Sequence, residues 1–137
     1  MEVFYLFNWF ALATCFAFSI LLGMFWYNPR VFGGIWANAF GLQDGDLDIR
    51  AQTRSRIAGL VYNFLSLYGL AVVIRYLHIT SALSGLIAGL FMAFFFAVAP
   101  MGNTAAFEQW RPARLLVHGT HRLVLLGAAG ALLAWWQ

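Results

Sequence analysis

Lysine is absent from this 137-residue chain, and charge of either sign is scarce: eight arginines and five carboxylates make up 9% of the residues. A soluble domain runs nearer about 25% charged. A single cysteine excludes a disulfide scaffold or a zinc-ribbon framework. Three prolines and no long polar tract exclude a collagen-like or disordered chain. Enzyme signatures are missing as well: there is no Gly-x-Ser-x-Gly, no His-Glu-x-x-His, no phosphate loop and no pair of carboxylates within an apolar run.

What is present is apolar. Such residues make up 63% of the chain, and mean hydropathy is +0.78. A soluble protein of this length could not bury so much apolar surface, so the expected solvent is a bilayer. The net charge of +3 comes from arginines that mostly flank the apolar runs, as where a membrane protein meets an anionic leaflet. No basic stripe accompanies it, so nucleic acid is not an expected partner.

A spanning helix needs about 20 largely apolar residues. Four runs qualify: 3–27, 57–74, 82–107 with Pro100 inside it, and 113–136. The expected fold is therefore an all-α, single-domain membrane protein of four transmembrane helices. The first run lacks a positive leader and is too long for a signal-peptide core, so it is expected to be a span. Between the first two runs, residues 31–42 place Phe32, Trp36 and Phe40 four apart, which reads as a short interfacial helix. Asp44, Asp46 and Asp48 then suit the start of the second span, where carboxylates satisfy free amides and complement the dipole. Their spacing lacks the glycine and the twelfth-position glutamate of a calcium loop. Trp26, Tyr27, Trp36 and Trp110 stand where aromatics anchor a protein at the headgroups. The loops after spans one and three hold six arginines against Arg75 on the opposite side. That bias predicts those loops in the cytoplasm and both termini outside.

In lipid, helices associate by close backbone approach, so small residues mark the seams. Ala11, Cys15, Ser19 and Gly23 lie four apart on span one, and Ser81, Gly85, Gly89, Ala93 and Ala97 do so on span three. Gly127 with Ala131 and Gly130 with Ala134 mark span four, and Gly59, Asn63, Ser66 and Gly69 mark span two. The aromatics fall mostly off these seams, and a surface facing lipid is expected for them ahead of a pigment or quinone groove.

One polar constellation stands out: Glu108, His118, His121 and Arg122, near the junction of spans three and four. Ionisable groups at such depth mark function by default. Proton-coupled transport would use a histidine or Glu108, and an anion site would use the arginines. A structural cluster would pair Arg122 with Glu108 and let His121 bridge them. The histidine spacing is weak for a metal, and His78 is expected at the opposite end from His118 and His121, so no metal or haem is expected.

Asn8-Trp9, Gly23-x-x-Trp26-Tyr27-x-Pro29, Phe32-Gly33, Trp36 and Gly41-Leu42 resemble the DUF1761 family of bacterial membrane proteins. So do Phe107-Glu108 with Arg111-Pro112, Leu115, Gly119-x-His121, Gly130 and the terminal tryptophan. The resemblance covers nearly the whole chain and implies four spans. It implies no mechanism, since the family is one of unestablished function. Thr120, Arg122 and the Gln109-Trp110 turn depart from its pattern. The expectation is a non-catalytic protein without cofactors that acts by assembly, as a homo-oligomer or an accessory subunit of a larger membrane complex. Its partners are then the lipid bilayer and itself or other membrane subunits. The alternative is a small proton-coupled or solute transporter using the polar cluster.

Overall fold

The computed structural model describes residues 8–40 and 49–136. Every regular element among them is helical: α1 Trp9–Trp26, a π-helical turn Pro29–Gly33, α2 Gly34–Phe40, α3 Ile49–Tyr76, α4 Ala82–Ala93, a second π turn Phe94–Val98, α5 Ala99–Phe107 and α6 Pro112–Trp135. Four helical stretches are long and apolar enough to cross a membrane: Trp9–Trp26, Thr53–Tyr76, Ala82–Phe107 and Pro112–Trp135. This is an all-α membrane protein with a short helix after its first span. The expected caps Asp44, Asp46 and Asp48 lie outside the described residues.

Local chemistry sets the helix ends. The Asn8 side chain accepts from the amide of Ala11, and Ser81 accepts from Ser84, so both helices start on a side-chain cap. At the start of the π turn Pro29 needs no amide partner, while the Asn28 side chain accepts from Arg30. His78 follows the end of α3 and Gln109 that of α5, both with positive φ. The amide of Ile79 returns to Ile74 and that of Trp110 to Ala105, so each residue closes its helix in a left-handed cap. α3 begins at Ile49, ahead of the apolar run that starts at 57, and its first two turns hold Arg50, Ala51, Gln52, Arg54 and Arg56, which favour a helix without an apolar environment. At 28 residues it is roughly 42 Å long.

Pro100 lies just past the π turn Phe94–Val98, where the amide of Ala99 reaches Phe94 five residues back. A proline in a regular helix collides with the carbonyl four residues earlier. The wider turn makes room for the ring, and the third span continues as α5 instead of breaking.

α6 is the central helix. It packs against α1, α2, α3 and α4 and has more buried residues than any other helix described. The tightest seam joins α4 to α6. A methyl group at Gly85 would overlap the carbonyl of Gly130, and one at Gly89 would overlap that of Leu126. The two backbones thus pass in direct contact, as small-residue seams in lipid require. Against α6, α1 buries Ala11, Leu12, Cys15 and Ser19, and α3 buries Leu67, Leu70, Ala71 and Ile74. Rings stitch α1 to α3, with Trp9 stacked on Tyr68 at 6.5 Å and Phe16 edge-on to Phe64 at 5.7 Å.

The small residues divide into used and unused. Ala11, Cys15, Ser19, Gly85, Gly89 and Ala93 are buried in seams. Ser81 is instead the exposed cap of α4, Ala97 is half-buried, and Gly23 has no neighbouring atom where its side chain would stand. On α3, Gly59 and Gly69 likewise face open space. Phe91, Phe94, Phe95 and Phe96 are all more than half exposed.

The apolar core collects at one end of the bundle, from the first half of α1, the last half of α3, α4 and the last half of α6. At the other end α5 leans away from α6 beyond the π turn, and α2 folds in beside α6. The polar residues gather at that second end.

Candidate functional site

The site is built on the first half of α6. His118 lies about 9 Å, His121 about 14 Å and Arg122 about 15 Å along the helix from Pro112, at the usual rise. The turn between α1 and α2 closes over them. That turn depends on Gly33, where any side chain would overlap the backbone of Tyr27 and Asn28. The close approach swings α2 back against α6 and brings Trp36 beside His118.

Both ring nitrogens of His118 are engaged. The Tyr27 hydroxyl lies 2.7 Å from Nδ1, and the Trp36 indole donates to Nε2 at 3.3 Å. An indole N–H only donates, so Nε2 must be the bare nitrogen. A neutral imidazole then carries its proton on Nδ1 and gives it to the Tyr27 oxygen. This fixes the tautomer of His118 and leaves the Tyr27 hydroxyl proton free for another acceptor.

His121 is only 5% exposed. Trp26 meets it edge-on at 5.9 Å and Tyr27 lies at 5.4 Å between ring centroids. Its Nε2 is buried without a hydrogen-bond partner. Trp26 also packs on Phe32 at 4.7 Å and sends its indole proton to the carbonyl of Val117. A half-buried Trp or Tyr keeps its polar tip satisfied, and here α6 supplies the partner.

Arg122, the next residue on α6, reaches toward α3, where it donates to the Asn63 side-chain oxygen at 2.7 Å. Among the described residues that is its one hydrogen bond. A guanidinium has five N–H donors, so among the described residues this one keeps most of them unused and meets no carboxylate. Its charge lies within electrostatic reach of Tyr27, His118 and His121.

Glu108 is not in this cluster, which corrects the expectation from sequence. It is exposed, and its carboxylate accepts the Trp110 indole proton at 2.6 Å. The left-handed cap at Gln109 turns the end of α5 outward, while Arg122 lies three helical turns up α6 on the α3 side. Arg111 donates to the Asn38 carbonyl, and the Arg114 guanidinium stacks over Trp110 at 3.6 Å. So Glu108 and Trp110 form a separate edge group with Arg114.

Trp26, Tyr27 and Trp36 direct their polar atoms at Val117 and His118 instead of outward. They, together with Asn63, are the members of the site that sequence reasoning placed elsewhere. The signal for Asn63 was its position mid-span, where an amide needs a partner. Among the described residues no three histidine, cysteine or carboxylate side chains gather where they could hold a metal ion.

Arrangements of this kind can hold a proton or an anion, since they combine a buried imidazole nitrogen, a phenol and an incompletely paired arginine. No curated protein and no solved structure matches the chain. One family does, over residues 10–134, and its description is a protein of unknown function. With nearly its whole length so matched, the chain belongs to the DUF1761 family.

Proposed function

We propose that the protein acts by lateral assembly in a bacterial cytoplasmic membrane, as a homo-oligomer or as an accessory subunit of a larger membrane complex, and carries out no catalysis of its own. The supporting observation is the unused small-residue face of α3. Gly85 and Gly89 are filled by the backbone of α6, whereas Gly59 and Gly69 meet nothing within 4 Å. Small residues on a membrane helix permit close approach of another helix, and here the chain supplies none. Beside Gly69 an apolar groove of about 220 Å³ runs between α3 and the π turn, lined by Leu65, Ser66, Met92 and Phe96 among others. The N-terminal half of α3 adds exposed Ile57, Leu60, Val61 and Tyr62.

The orientation belongs to the same proposal. Arg30, Arg111 and Arg114 mark the end that carries α2, and the positive-inside bias puts that end in the cytoplasm and both termini outside.

Single cysteines at 59 and 66, in a Cys15→Ala background, test the reading by cross-linking in native membranes. Assembly predicts a dimer band or a cross-link to a second protein, and in the protein with its cysteine at 66, Gly59→Leu with Gly69→Leu should abolish it. A chain that cross-links to nothing and purifies as a monomer overturns it. The second reading, a small proton-coupled or solute transporter, draws support from the buried, unpartnered Nε2 of His121 beside Arg122. Flux through liposomes that disappears in His121→Asn, with the protein still folded, would favour that reading.

A further inference from the structure

We infer that the end of the bundle bounded by α1, α3 and α6 is a binding site for an oxyanion of the phosphate type, held by Arg122, the Tyr27 hydroxyl and Nε2 of His121. Three observations carry this, and none depends on the assembly reading.

Arg122 holds a full positive charge within a membrane-spanning helix and has one hydrogen-bond partner among the described residues, the neutral oxygen of Asn63. A charge in that setting requires an opposite charge or a set of well-placed acceptors. Asn63 is neither, because an amide oxygen satisfies one donor and neutralises nothing.

His121 is a buried polar side chain with an orphaned nitrogen. Buried nitrogens are nearly always paired, so an unpaired one in a site of this kind indicates a missing partner. The bland partner would be water. Water, however, leaves the arginine charge uncompensated, and one oxyanion satisfies both.

Tyr27 supplies the third donor by elimination. Trp36 forces the bare nitrogen of His118 to be Nε2, so Nδ1 donates to the Tyr27 oxygen and the phenolic proton is left to donate. The Tyr27 ring touches that of His121, and the Arg122 charge acts on both. The guanidinium and the free phenolic proton are donors, His121 adds a third in the tautomer that carries its proton on Nε2, and no acceptor other than Asn63 faces them among the described contacts. That donor-only character selects an anion over a cation or a neutral sugar.

Phosphate chemistry reaches such a site from two sources: a free anion or the headgroup of an anionic phospholipid. The full-length protein, purified in a neutral detergent, should show a rise in Tm with inorganic phosphate that equal ionic strength of sodium chloride does not reproduce. In parallel, protein extracted from vesicles with or without phosphatidylglycerol is examined by native mass spectrometry for retained lipid. A phosphate-dependent shift identifies a free anion as occupant. A phosphatidylglycerol adduct without that shift identifies the lipid headgroup. Either supports the site if Arg122→Gln weakens the binding at least about tenfold, the loss expected for a charge-assisted hydrogen bond. Should Arg122→Gln fail to fold, Arg122→Lys with Tyr27→Phe, which keeps the charge and removes one donor, must still weaken binding. The inference is overturned if neither phosphate nor phosphatidylglycerol binds, or if both bind the variants as well as the parent.

Discussion

Gly89 of α4 crosses Leu126 of α6 so closely that the Leu126 carbonyl occupies the space a side chain at 89 would need. Glycine there is a steric requirement of the seam. Gly89→Ala should lower stability in detergent by about 1–3 kcal/mol or more, the usual cost of overpacking, because the obstacle is backbone. Gly102→Ala on α5, where nothing lies within 4 Å, should be neutral or raise stability by up to about 1 kcal/mol through helix propensity. Thermal unfolding of the two variants checks the contrast, and equal effects would contradict the seam.

His118 ties the turn after α1 and helix α2 to α6 through Tyr27 and Trp36. His118→Leu removes both acceptor and donor and leaves two buried polar tips without their partner. Each lost bond should cost about 0.5–1.5 kcal/mol, and more where the group stays buried. α2 should loosen before the core unfolds. Thiol labelling of a cysteine at Ala39 would then accelerate in the variant while the far-ultraviolet spectrum stays unchanged.

Arg122 depends on Asn63 for its one hydrogen bond. Asn63→Leu should destabilise by about 2.5 kcal/mol, the insertion cost of an arginine without a partner near the middle of a span. Leu at both 63 and 122 should recover most of that loss, since no charge then remains to satisfy. A double-mutant cycle on thermal stability reads the coupling, and strict additivity would show that the contact contributes nothing.

Glu108→Gln is expected to be tolerated, within about 0.5 kcal/mol, as for exposed substitutions generally. The side chain is exposed, and a glutamine oxygen can accept the same Trp110 proton. A large loss of stability would mean that Glu108 reaches Arg122 after all.

Much of the fold was legible in the sequence because membrane insertion is decided run by run. The lengths of the apolar stretches are local properties, whereas Ser81, read as part of a seam, is the cap of α4. The bilayer leaves no other backbone solution than helices for such runs. The site was legible only in part. His118, His121 and Arg122 were visible as ionisable groups out of place in an apolar run, but their partners were not. Glu108 was the nearest carboxylate along the chain, and nearness along the chain misled, since the left-handed cap at Gln109 turns it away.

Sequence by itself determined the solvent, the number of spans and the faces rich in small residues, since composition and periodicity fix those without reference to any neighbour. Tertiary structure decided which faces meet. Gly85 and Gly89 look no different in sequence from Gly59 and Gly69, yet the first pair lies against α6 and the second pair faces open space. A repeat of four residues defines a stripe on one helix but carries no information about which stripe lies opposite. The π turn before Pro100 and the turn at Gly33 set those pairings, by tilting α5 away from α6 and folding Trp36 onto His118.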